Sequence, residues 1–390
     1  MLAQKSLSRG SVFFNVVVLT IMIFSFINLL FIPLLLDDMT LVNEMKTKDL
    51  LYGDIVITGE DNAVLIENSQ ELQAKLFSFE EVENVVVRYI MPVTFEYDDN
   101  FHSGSINFVD IREEETFTGL REYIVEGRYL KQQDVDGLII GKEIAGKYDT
   151  LYESNNLGGI DPGEEVSAQF SGVPPKNLTL RGIFNTKSID VDFQAYASKE
   201  LFEELGGDLD KSSIVGVRLK DGSEESVDNM IHKLEIYGIN EDIYKSSDYS
   251  GVVLSDTFFV LKIISTIVSL LISMITLFVV IFIETQNTRK VLSTLRALGI
   301  SDMTIYLSVV FKGVIYAGVG ALLGALFLYL LIEPYFRHYP LRLPFGDVSL
   351  TVSFLSIVIY ASLYLVAAGI VSVFPVYRFF RKDIIEVMRS

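Results

Sequence analysis

The chain has 390 residues, of which 50% are apolar and 21% charged, with a positive mean hydropathy of +0.37 and a formal net charge of −19. Long apolar segments joined to a polar part fit that mixture better than one soluble domain does. Residues 37–256 hold 45 acidic against 19 basic side chains, a net of −26, which argues against nucleic acid as a partner. Cysteine is absent and the three histidines (His102, His232, His338) are far apart, so disulfides and thiolate chemistry are excluded and no zinc site or other cofactor is expected.

Residues 12–36 are apolar and uncharged, and a span needs roughly 20 such residues. Lys5 and Arg9 precede this stretch, and Asp37 and Asp38 follow it. A signal peptide has a shorter apolar core and a small-residue cleavage site, so the stretch reads as an uncleaved anchor with Pro33 in its last turn. Residues 37–256 then alternate between strand and helix patterns. Strands are expected at 54–58, 85–95, 138–141 and 213–219, and helices at 71–79, 142–148, 199–205 and 226–237. Two further strands, 165–170 and 178–184, flank the turn sequence 171–177 as a hairpin. The expected class is α+β. No catalytic constellation emerges, and the acidic run Glu113-Glu114-Glu115 reads as a solvated face. Gly137-Leu-Ile-Ile-Gly141-Lys142 lacks the spacing of a phosphate loop.

Three more spans are expected at about 258–283, 305–332 and 350–375. Basic residues cluster before the first span, between the second and third (Arg289, Lys290, Arg296), and after the fourth (Arg378, Arg381, Lys382, Arg389). With four crossings these clusters share one side, and the positive-inside rule makes that side cytoplasmic. Both termini are then cytoplasmic, and residues 37–256 lie outside. Lys312, about two turns into the third span, is expected to snorkel to the cytoplasmic face. Beside it, Gly313, Ala317, Gly320 and Gly324 are small, and Gly320-x3-Gly324 is a close-approach pattern for another helix.

Between the second and third spans, residues 286–299 form an amphipathic helix that stops at Gly299. Val291, Leu295 and Leu298 share one face, with Arg289, Lys290 and Arg296 elsewhere. Such a helix docks either on lipid or in a groove of a cytoplasmic partner.

The order of one span, a large external domain and three spans resembles the MacB/FtsX/LolC–LolE superfamily of ABC permeases. The stretch from Asn287 to Ser301, with Arg296-Ala297-Leu298-Gly299, is similar to that family's loop helix ending in Leu-Arg-Ala-Leu-Gly-x-Ser. The tail with Pro375, Arg378, Asp383 and Arg389 resembles the family's proline–arginine ending. In the external part, Gly127-Arg128, Gly141-Lys142-Glu143, Arg181-Gly182-Ile183-Phe184 and Ala195-Tyr196 fall in the order seen in lipoprotein-releasing permeases. Departures are Lys312 and Val291, where the family often has glutamate, Ile384 in place of proline, and a short hairpin at 171–177.

The resemblance implies three regions: 1–36, the N-terminal tail and first span; 37–256, a MacB-like external domain; and 257–390, an FtsX-like permease domain. It also implies that Arg289, Lys290, Leu295, Arg296, Ala297, Leu298 and Gly299 contact an ATPase. The implied partners are a cytoplasmic ABC ATPase dimer, a second permease subunit of the same or a different kind, and membrane lipids. The implied cargo is a lipoprotein, lipid or amphiphile. The chain itself is expected not to be an enzyme. The alternative is a non-transporting FtsX-like subunit that transmits force to an extracytoplasmic enzyme.

Overall fold

The computed structural model describes residues 12–60, 65–148, 150, 155–239, 241–250, 254–343 and 346–380. The chain divides into two units. Among the described residues, one is helical and is drawn from 12–39, 257–341 and 348–380; the other is an α+β domain drawn from 40–256 and 342–347.

Four helices are long and apolar enough to cross a membrane: Val12–Thr47, Leu254–Asn287, Asp302–Phe327 and Phe354–Phe380. The first runs well past the expected 36, so Pro33 lies inside it rather than in its last turn. Proline there forgoes one hydrogen bond, to the carbonyl of residue 29, a loss that packed membrane helices tolerate. The bundle is cemented by Met22, Phe26, Leu29 and Leu30 of the first helix, Leu277 and Val280 of the second, Ala317 and Ala321 of the third, and Tyr364 and Ala368 of the fourth. The third helix is continued by a π-helical turn, Leu328–Ile332, and a short helix, Glu333–His338.

The α+β domain is built on strands β1 (Ile55–Thr58), β2 (Ile66–Glu67), β3 (Val82–Tyr97), β4 (Asn100–Val109), β5 (Ile124–Gly127), β6 (Gly137–Gly141), β7 (Glu165–Phe170), β8 (Lys176–Phe184), β9 (Ala195–Ser198), β10 (Lys211–Ser212), β11 (Ile214–Leu219) and β12 (Asp242–Lys245). The main sheet runs β12-β1-β11-β3-β4-β9-β6-β8-β5, and β7 pairs with both β3 and β8. The pairings β3-β4-β9-β6-β8-β7-β3 therefore close into a six-stranded ring. One edge of β3 serves β11 up to Arg88 and β7 from Val93. Pro92 stands in that changeover, where a missing N–H disturbs the ladder least. Phe95, Ile106, Phe108, Ile140, Phe170 and Leu180 fill the interior.

Two helices cover the sheet through apolar stripes, Leu72 and Leu76 on Ser69–Phe77 and Val227, Met230 and Leu234 on Glu224–Ile236. The expected strands and the 171–177 hairpin are present, whereas the 142–148 helix shrinks to Lys142–Ala145.

The acidic run at 113–115 is not a solvated face. Asp110 caps the helix Ile111–Thr118 by accepting from the N–H groups of Arg112 and Glu113. Glu114 turns inward, fully buried, and takes two bonds from buried Arg88, at 3.0 Å from Nε and 2.6 Å from a terminal nitrogen. Its partner is 26 residues away on β3, beyond the reach of any local pattern.

Candidate coupling site between the second and third long helices

The second long helix ends at Asn287, and a short helix, Arg289–Ala297, leads to the third. The break falls at Thr288, whose N–H and hydroxyl both donate to the carbonyl of Glu284, at 3.0 and 2.8 Å. Leu292 is buried and Leu295 half-buried against Ile281, Ile305 and Val309. Val291, Thr294, Ala297 and Leu298 are exposed, Val291 at 60% and Leu298 at 75%.

The expected single face of Val291, Leu295 and Leu298 is thus divided. At about 100° per residue Leu295 lies on the Leu292 side of that stripe, so it turns to the bundle while the other two turn away. Arg296 does not belong to the outward face either. It holds Asp302 in the first turn of the third long helix, with nitrogen–oxygen distances of 2.9 and 3.1 Å. Gly299 between them has φ +84°, a left-handed conformation suited to glycine, and its N–H bonds to the carbonyl of Arg296 at 3.0 Å. Arg289 and Lys290 open the short helix, but their side chains lie outside the described residues.

The small residues of the third helix sit against its neighbours. A Cβ added to Gly320 would meet Cβ of Met22 at 2.7 Å, and one added to Gly324 would meet the ring of Phe26 at 2.9 Å, both on the first long helix. A Cβ on Gly313 would meet the hydroxyl of Ser372 on the fourth helix at 2.4 Å. Ala317 is fully buried.

Lys312 does not snorkel. It is 7% exposed, ion-paired with Glu284, itself 8% exposed, and lies 5.8 Å above the Tyr316 ring. A partner within the bundle replaces hydration that the lipid-facing alternative would have to find at the surface. Tyr316 in turn donates to Asn15 at 3.0 Å. Sequence reading missed Glu284, because it assigned that residue to the connecting loop. A carboxylate directly following the 21-residue uncharged run 263–283 was the available signal. Pro375 and Arg378 fall within the backbone of the fourth long helix, and Arg389 lies outside the described residues. Among the described residues no group of three or more acidic or histidine side chains could hold a metal.

Residues 263–384, which span the second to fourth long helices and the short helix between them, match the model of the FtsX-like permease C-terminal family. These residues form an FtsX-like permease domain. Solved structures that resemble about half of the chain include the following two. The extracellular domain of the noncanonic ABC-type transporter YknZ from Gram-positive bacteria is 16% identical, with a TM-score of 0.35, covering 49% of this chain and 97% of that one. The periplasmic region of MacB from Actinobacillus actinomycetemcomitans is 11% identical, with a TM-score of 0.36, covering 51% and 91%. No curated protein matches the sequence. With four helices long and apolar enough to span a bilayer, the chain is a multi-pass membrane protein carrying a large α+β domain.

Proposed function

We propose that this FtsX-like permease is the membrane subunit of an ABC transporter in which ATP hydrolysed on a separate cytoplasmic polypeptide moves the extracytoplasmic domain. The observation that supports this most directly is the outward face of the Arg289–Ala297 helix. Val291 and Leu298 are exposed, while Leu292 and the Arg296–Asp302 pair fasten the opposite side to the bundle. A helix so fastened passes a push on to both long helices it joins. Its apolar edge suits a groove on a protein partner. The positive-inside rule supports a cytoplasmic position for this helix and for both termini.

An ATPase dimer offers two such grooves, and this chain supplies one helix, so a second permease subunit of the same or another kind completes the assembly. The inward faces of the spanning helices are apolar, and the buried carboxylates and lysines on their described parts are few: Asp38, Glu284, Lys312 and, near the end of the third span, Glu333. That favours a lipoprotein, lipid or other amphiphile as cargo over a hydrophilic solute. The test is Leu298→Asp. Loss of one buried leucine contact weakens docking by about tenfold or more, so co-purification and ATPase stimulation should fall while membrane insertion stays intact. Unchanged co-purification and stimulation would refute the reading. Recovery of a cell-wall enzyme with the complex, and of no lipidated cargo by mass spectrometry, would assign it the regulatory role instead.

A further inference from the structure

Among the described residues of the FtsX-like domain, Glu284 and Lys312 form a buried ion pair, Glu284 five residues before the short helix and Lys312 on the third helix that follows it. Glu284 has two tasks. Its main-chain carbonyl accepts both bonds of Thr288 at the break, and its side chain holds Lys312 on the third helix. Lys312 lies over Tyr316, whose hydroxyl reaches Asn15, so the network joins the first, second and third long helices. Next to Lys312, Gly313 lets the fourth helix approach through Ser372.

A buried ion pair is a poor device for stability, since apolar residues of similar volume often replace it without loss. Its distinctive property is steepness. Attraction in a low-dielectric interior falls sharply once water enters, so the pair is either closed or broken. An ionisable group at this depth in a bundle is more often a working part than a filler.

We propose that the Glu284–Lys312 pair is a positioning latch, which keeps the Thr288 break and the Arg289–Ala297 helix in one setting until a push on that helix parts the two charges. This rests on the reading that the helix docks on an ATPase, and it adds the element that makes the movement two-state.

The test compares three variants of the full chain, each purified with its ATPase. Lys312→Met strands a buried carboxylate, so its thermal midpoint should fall and ATPase stimulation should be lost. Glu284→Leu/Lys312→Met should recover the thermal midpoint and co-purify with the ATPase normally. Its stimulation should nevertheless stay reduced, on the order of tenfold. Lys312→Arg keeps the charge and should retain most of the stimulation. Full stimulation in the doubly neutral variant would show that the pair only fills space, and would overturn the proposal. If that variant does not insert, Lys312→Arg decides: stimulation kept at a normal thermal midpoint upholds the latch, and stimulation lost at a normal midpoint overturns it. Failure of the docking reading shows separately, because the wild-type chain would then bring down no ATPase.

Discussion

Asp192 is a carboxylate kept almost wholly from water, 1% exposed at the end of the short helix Ile189–Asp192. One oxygen accepts from the N–H and hydroxyl of Thr186, each at 2.8 Å, while the other has no hydrogen-bond partner among the described residues. Burial outweighs those bonds and pushes its pKa from 3.8 up to about 6. Because the folded value is the higher one, the folded state binds the proton more tightly than the unfolded state. Stability from this group is therefore present at low pH and is lost as pH rises between about 4 and 6. Asp192→Asn keeps an acceptor for Thr186 and removes the titration. The variant should match wild type near pH 4 and exceed it at pH 7 by on the order of 2–3 kcal/mol, read from unfolding of the full chain in detergent. A constant difference across that range would refute the assignment. Neither this group nor Glu114 was legible as buried from sequence. Thr186 is a local partner of Asp192, but Gly141 beside Asp192 and Arg88 beside Glu114 are brought near only by the fold.

Among the elements, the third long helix shows why small residues stand where they do. Gly320 and Gly324 let the first helix approach to backbone contact, and Met22 and Phe26 fill the space that side chains on the third helix would have taken. Gly320→Ala forces the two helices apart and should cost about 1–3 kcal/mol, seen as a lower thermal midpoint of the purified chain. Gly369, with nothing within 4 Å of an added Cβ, is the control. Gly369→Ala should be neutral or slightly stabilising, because alanine is the better helix former. Equal effects at the two positions would sink the packing argument. The Gly320-x3-Gly324 spacing was legible before the fold was known, because it repeats on one helical face. Which helix it meets was not, since the first long helix lies about 300 residues earlier in the chain. The short helix Arg289–Ala297 is similar. Its amphipathic pattern announced a helix, but the assignment of Leu295 and Arg296 to the bundle side needed the positions of Ile281 and Asp302.

At the scale of the whole molecule, the charge and hydropathy pattern separates two environments. Asn177 lies near the start of β8 in the α+β domain, opposite Ser167 of β7. The chain contains no cysteine, so a single Asn177→Cys introduces one reporter thiol. It should react with a membrane-impermeant maleimide in intact cells, while a cysteine at Thr294 on the exposed edge of the short helix should react only after permeabilisation. Labelling of both positions in intact cells would contradict four crossings with cytoplasmic termini.

The sequence by itself determined the spans, the α+β character of the domain and the short amphipathic helix. These follow from the length and period of apolar residues along the chain, which are local quantities. Only the tertiary structure decided the closing of six strands into a ring, the burial of Glu114 against Arg88, and the pairing of Lys312 with Glu284. Ring closure depends on strand pairings between distant segments; in the two ion pairs, charged groups apart in sequence lose their water together, and whether a charge is solvated or paired depends on its neighbours in space.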